Sequence, residues 1–162
     1  MATNRKQSAG ILLYRSRSGC LEVFLVHPGG PFFANKDVGA WSLPKGEYQS
    51  GEDPLETARR EFEEETGRPL ADCSSGESVA LGPIVQRNHK TVVAWAIEGD
   101  WPDGLAVESN RFPLEWPPRS GRIQEFPEVD DGSFFAIEEA RRKLNPAQVE
   151  LLEQLIRHLE LS

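Results

Sequence analysis

Five carboxylates crowd the segment from Glu56 to Glu65, inside the stretch GEYQSGEDPLETARREFEEETGR that runs from Gly46 to Arg68. The segment reads as a helix. Asp53 suits its N-cap, Pro54 its first turn and Glu56 the third position of a capping box. Gly67 suits its C-terminal stop, and Pro69 forbids continuation. Each helical residue advances by about 100°, so with Glu61 at zero, Glu65 falls near 40° and Glu64 near −60°. Three acids thus share one narrow arc, and the apolar stripe of Leu55, Ala58 and Phe62 lies beside it. Glu56, Arg59 and Glu63 point the other way and read as the solvated face.

Like charges one turn apart, such as Glu61 and Glu65, cost a helix a few tenths of a kcal/mol (roughly 0.2–0.5). Arg60 offsets that repulsion only in part. Convergent carboxylates at the edge of a buried stripe, joined by Glu52 from the preceding loop, are what a hard divalent cation requires. Mg²⁺ takes oxygen ligands and keeps waters and substrate phosphates in its shell. A calcium loop of the EF-hand kind is the competing metal reading, but the D-x-D-x-D-G pattern is absent.

Gly46, five residues, Glu52, seven residues and then Arg60-Glu61-Phe62-Glu63-Glu64-Glu65-Thr66-Gly67 resemble the Nudix box, G-x5-E-x7-R-E-U-x-E-E-x-G-U, where U is bulky and apolar. The departure is Arg68, which stands at the last apolar position and weakens a packing contact rather than a ligand. SAG in the first strand, WSLPKG before the box and FFAIEEA near the end extend the resemblance more weakly. It implies an α/β (α+β) fold, a Nudix-type α/β/α sandwich with a mixed β-sheet between helices. The implied activity is hydrolysis of a diphosphate bond in a nucleoside diphosphate linked to another moiety.

By the motif, Glu61, Glu64 and Glu65 would hold Mg²⁺, with Mn²⁺ as a substitute. Glu52 would support them, Arg60 would hold the glutamates in place, and Gly46 would let the chain turn closely around the site. The general base is open between two acids in QEFPEVDDGSFFAIEEA, a segment resembling diadenosine polyphosphate hydrolases. Counting back six residues from Phe134 gives Glu128, and Glu125 is its rival. Lys45 is expected to contact phosphate. Arg119 and Arg122 are expected to reach further phosphates, with Lys36 and Lys90 as weaker candidates, and Trp116 to stack on a base. Trp41 and Trp95 read as structural, and His27 and His89 as ordinary polar residues. The substrate is expected to be a dinucleoside polyphosphate or a nucleoside triphosphate, oxidised forms included. An RNA-decapping pyrophosphohydrolase and a Nudix-fold binding or regulatory module without catalysis are the alternatives.

The remaining sequence must position these residues. SAGILLYRS and CLEVFLVHP, parted by Arg17-Ser18-Gly19, predict a hairpin. A loop follows, with a short strand near Trp41 to Leu43. ADCSSGES reads as loop, and VALGPIVQ and KTVVAWAIEGD as strands. From Trp101 to Arg122 four prolines interrupt any period, which predicts a long insertion loop of functional character. FFAIEEARRKL predicts a strand entering a helix. After Asn145 and Pro146 a last helix carries Val149, Leu152, Leu155, Ile156 and Leu159 on one stripe, for the core or for a dimer contact.

With 162 residues the chain is expected to form one domain, 1–162, as a monomer or homodimer. A net charge of −8 works against loose binding to nucleic acid or anionic membranes, and it makes a cation the natural intermediary to a phosphate substrate. Cys20 and Cys73 stand apart and read as free thiols of a reducing compartment. No apolar run reaches membrane-spanning length, so a cytoplasmic location is expected.

Overall fold

The computed structural model describes residues 6–87 and 89–161. Strand Gln7–Arg17 (β1) buries Ala9, Ile11 and Leu13 on one face and Ser8 and Leu12 on the other. A strand covered on both faces belongs at the centre of a sheet, and β1 is there. The predicted hairpin joins it to Cys20–Pro28 (β2). Ser18 and Gly19 both take positive φ, 54° and 79°, as a two-residue turn between right-twisted strands requires.

The hairpin strands pair only from Tyr14–Arg17 to Cys20–Val23, and beyond that they part. The chain from residue 42 to 48 enters the gap. Ile11 N–H donates to the Pro44 carbonyl at 3.0 Å, Val26 bridges Ser42, and Lys45–Tyr48 (β3) pairs with Gln7–Gly10. The strand expected near Trp41 is therefore reduced to isolated bridges, and regular pairing begins at Lys45. Gly46, expected in a loop, lies on that strand. The reason is that parted strands leave backbone groups which only an inserted segment can satisfy.

Ser74–Val85 (β4), Thr91–Gly99 (β5) and a later strand, Val129–Ala136 (β8), complete the sheet in the order β4-β5-β1-β2-β8, with β3 on β1. The β1–β5 pair is parallel and its neighbours antiparallel, so the sheet is mixed. ADCSSGES is not the loop expected. It holds most of a 3₁₀ turn at Leu70–Asp72 and the start of β4, whose register slips between Ser74 and Ser78. Such a slip breaks the two-residue alternation by which a strand is recognised. The insertion likewise contains a strand, Arg111–Glu115 (β6), which pairs with Ile123–Pro127 (β7) as a separate ribbon. A two-stranded ribbon is all edge, where Pro113 is tolerated.

Helix Pro54–Thr66 (α1) covers one face of the sheet, and Ile137–Lys143 (α2) and Val149–Leu161 (α3) cover the other. Ala58 and Phe62 of α1 pack with Ile11 and Phe24, whereas Leu152 and Leu155 of α3 pack with Leu12 and Leu25. The stripe of the last helix thus serves the core. These two clusters make the α/β/α sandwich, with the sheet as its middle layer.

His27 at the end of β2 is nearly buried, with Nδ1 2.7 Å from Asp130 Oδ1 and Nε2 2.6 Å from the Lys36 carbonyl. Both ring nitrogens face acceptors, which calls for the doubly protonated ring. Burial opposes that charge, but the Lys36 carbonyl and Asp130, with Asp131 nearby, raise the pKa above 6.5. The raised folded value stabilises the fold below the unfolded pKa, and that contribution fades as pH rises through the folded one. Asp130→Asn is expected to lower the urea midpoint at pH 6 by the equivalent of about 1 kcal/mol, a deficit that shrinks with rising pH.

Candidate active site

Helix α1 starts where the sequence places it. Asp53 Oδ1 accepts from Leu55 N–H at 3.2 Å, and Gly67, at φ 87°, closes the helix by donating to the Glu63 carbonyl. Thr57, Ala58, Phe62 and Thr66 are buried, Leu55 is half-buried, and Glu56, Arg59 and Glu63 are exposed. Glu61, Glu64 and Glu65 lie between these faces, at the rim of the core.

Arg60 organises the acids. Its guanidinium lies 3.6 Å from Glu52, 3.7 Å from Glu61 and 3.8 Å from Glu64. Glu52 also accepts from the Gln49 N–H at 2.8 Å, which fixes the loop before the helix. Opposite Arg60, β3 presses its backbone on Glu61. A Cβ at Gly46 would lie 2.0 Å from the Glu61 carboxyl carbon and 2.4 Å from both oxygens. Any side chain at residue 46 would occupy the carboxylate's place.

Electrostatic tension is concentrated here. Burial, reinforced by Glu61, pushes the Glu65 carboxyl up to about 8. Burial and the neighbouring Glu64 also raise Glu61. Lys45 beside them is lowered, by burial and by Lys90, although Glu65, Glu47 and Glu61 pull the other way. Glu128 is raised by burial and by Glu64, and its charge is felt at Glu61 and Glu65.

Glu128 owes its position to backbone bonds. Asn110 N–H donates to the Glu64 carbonyl at 2.9 Å, and Glu128 N–H donates to the Asn110 carbonyl at 2.8 Å. The acid between β7 and β8 is thereby tied to α1 through one residue. Gly29 N–H donates to the Glu128 carbonyl and ties it to the end of β2 as well. Glu125 lies elsewhere, on the ribbon, where its side chain pairs with Arg111 at 3.9 Å.

Lys45, Glu65 and Glu128 line one cavity of about 270 Å³, together with Phe33, Gln86 and Asn145. Arg119, Arg122 and Trp116 are not brought into it. Trp116 stacks edge-on against Phe32, with ring centres 5.4 Å apart. Arg119 N–H is held by Glu115, and Arg122 N–H by Ser120. All three sit at the turn of the ribbon, because the pairing of β6 with β7 fixes where the insertion folds back. Lys36 lies over Phe33, and Lys90 lies 3.7 Å from Glu47. Trp41 is buried and Trp95 packs against the core, while Arg68 lays its guanidinium 5.7 Å from the Trp101 ring, where the box prefers an apolar side chain. Sequence reasoning missed Asn110, Gln86 and Asn145 as lining or positioning residues. Asn145 carried a signal only as a helix cap.

Among the described residues, no three His, Cys, Asp or Glu side chains close into a ready-made cation cage. The donor set nevertheless fits Mg²⁺ or Mn²⁺. It consists of hard oxygens under mutual repulsion at the rim of the core, with Glu65 lining the cavity, and Mg²⁺ needs only one or two carboxylates beside water and phosphate. Gly46→Ala is expected to leave a folded protein while displacing Glu61. In a thermal-unfolding titration, Mg²⁺ should then raise the Tm less than in the parent, whose stabilisation grows with the ratio of free cation to its Kd.

Among proteins of known function, the chain is 36% identical over 67 residues to the mouse bis(5'-nucleosyl)-tetraphosphatase [asymmetrical], covering 40% of this chain and 46% of that one. It is 41% identical over 64 residues to the RNA pyrophosphohydrolase of Cereibacter sphaeroides, covering 37% and 38%. The matches span less than half the length of either relative. A C. elegans Ap4A hydrolase has the same fold, with a TM-score of 0.62, 21% identity and coverage of 97% and 99%. The Nudix domain of Shewanella oneidensis NrtR, solved with ADP ribose, aligns at 0.61 and 17% identity over 98% and 90%. The NUDIX domain model matches residues 4–155. Box, sandwich and family model agree, and the chain belongs to the Nudix family.

Proposed function

We propose that the protein hydrolyses a diphosphate bond in a nucleoside diphosphate linked to a further moiety, with dinucleoside polyphosphates as the substrate class. The observation that carries this reading is the grouping around one cavity of Glu65, Glu128 and Lys45, beside the Arg60-bound cluster of Glu52, Glu61 and Glu64. Glu61, Glu64 and Glu65 would hold Mg²⁺ or Mn²⁺, with Glu52 in support. When bound, the cation offsets phosphate charge and makes water more acidic. The residues supply the rest. Arg60 keeps the acids from splaying apart, and Gly46 leaves the Glu61 carboxylate the space a side chain would take.

Lys45 contributes an ammonium close to where phosphate would lie. Glu128 takes the proton of the attacking water as that oxygen bonds to phosphorus. The bridging P–O bond breaks, and its electron pair leaves on the departing phosphate. A carboxylate raised by burial is a stronger proton acceptor once ionised than one in water. Reliance on position and electrostatics suits a cavity whose described lining holds no cysteine and whose serine, Ser42, spends its hydroxyl proton on the Leu43 carbonyl. The mouse relative's name supports the dinucleoside class. The bacterial relative's name supports an RNA substrate, but a net charge of −8 disfavours a polyanionic polymer.

The nucleotides and pyrophosphate formed from diadenosine tetraphosphate, ATP and a 5'-triphosphate RNA, resolved by anion-exchange chromatography with Mg²⁺ and with chelator, test the reading. Activity should require the cation and be lost in Glu64→Gln. Glu128→Gln should lower kcat roughly 10²–10⁴-fold, as removal of a general base does, and Glu125→Gln should stay within about threefold. Absence of cleavage with every compound would favour a binding or regulatory module. A full rate in Glu128→Gln would remove that residue as base.

A further inference from the structure

The cavity that begins at Lys45, Glu65 and Glu128 ends at carboxamides whose hydrogen-bonding sense is fixed from within. Gln148 is fully buried, and its Oε1 accepts from Leu43 N–H at 3.1 Å. A backbone N–H can only donate, so Gln148 cannot be flipped. Its Nε2 therefore donates to Ser42 Oγ and to Gln86 Oε1, each at 3.1 Å. The Ser42 hydroxyl accepts that bond because it spends its own proton on the Leu43 carbonyl. Gln86 thus has its oxygen engaged by the protein, which leaves its NH₂ group for the cavity it lines.

Asn145 repeats the arrangement. Its Oδ1 accepts from Ala147 N–H at 3.0 Å, again a donor that fixes the amide. Among the described residues, neither Gln86 Nε2 nor Asn145 Nδ2 has a partner of its own. Both residues line the cavity of about 270 Å³, and both also line an adjoining one of about 510 Å³. The shared wall therefore presents two donors, while each carboxamide oxygen is already engaged by a donor of the protein. Phe33 adds an aromatic ring at the same cavity.

We infer that this wall recognises a 6-oxopurine base, with Gln86 and Asn145 donating to its O6 and N7 while Phe33 offers its face. Guanine shows two adjacent acceptors on that edge, whereas adenine shows an acceptor beside an amino donor. Two outward NH₂ groups satisfy the first edge, whereas one of them would meet the amino group of the second donor to donor. The inference rests on the nucleotide-hydrolase reading for the direction of the substrate, with phosphates at Lys45 and the base at the amides.

The test compares kcat/KM for diguanosine and diadenosine tetraphosphate in the parent protein and in Gln86→Glu and Asn145→Asp. Each variant keeps the internal acceptor oxygen and replaces only the outward NH₂. The parent should prefer the guanosine compound at least about tenfold, chiefly through KM, and each variant should cut the ratio below about threefold. Equal or adenine-favouring values in the parent overturn the inference, as does an unchanged ratio in both variants. If neither tetraphosphate is cleaved, the hydrolase reading fails, and calorimetric titration with GDP and ADP decides the base preference alone. Tighter GDP binding by a similar factor then upholds the inference, and equal binding ends it.

Discussion

Carboxylates do not gather on a half-buried helix rim unless something holds them there. In this protein the holding group is one guanidinium, Arg60, set among Glu52, Glu61 and Glu64. The contacts are long, between 3.6 and 3.8 Å, so Arg60 reduces repulsion without sealing any acid into a tight pair. Exposed ion pairs of this kind stabilise little, and the organisation they impose on neighbouring charges is the larger effect. A bidentate bond to any one glutamate would leave the others uncompensated and would close the lone pairs a cation needs. Much of the surrounding fold can be understood as what is required to bring an acidic helix edge, a glycine strand and a cavity together at this point.

The sheet meets that requirement by failing to pair fully. Because β1 and β2 separate beyond Tyr14, the chain around Pro44 and Gly46 is drawn between them and delivered against α1. Phe62 anchors the helix from below, with its ring 6.4 Å from that of Phe24. The helix face that packs and the helix edge that works are adjacent, so the rigidity of one is inherited by the other. Gly46 then sets the spacing, since backbone alone lies against Glu61.

The box, its helix limits and the division between solvated and convergent glutamates were legible in the sequence, because they follow from a short period and local caps. The hairpin and the final amphipathic helix were legible for the same reason. What escaped was non-local. The pairing of Arg111–Glu115 with Ile123–Pro127 is masked by prolines, and the start of β4 at Ser74 by a slipped register. No local pattern marks Asn110, whose contribution is two backbone bonds, or Gln86, whose amide is oriented by Gln148 from the far end of the chain. The count from Phe134 favoured Glu128 over Glu125, but only the sheet separates the environments in which they lie.

The bond from Asn110 to the Glu64 carbonyl, and from Glu128 to Asn110, has a consequence for inheritance. Both links use main-chain atoms, so they are indifferent to which side chains the insertion carries. Ribbon side chains at and beyond Arg111 are thus free to diversify between lineages, while the chain length and backbone path at Asn110 are not. A deletion that shifted residue 110 by one place would detach Glu128 from α1 even if every acid of the box survived. Variation from Arg111 onward should therefore accumulate as substitutions, and as changes of length only toward the tip of the ribbon.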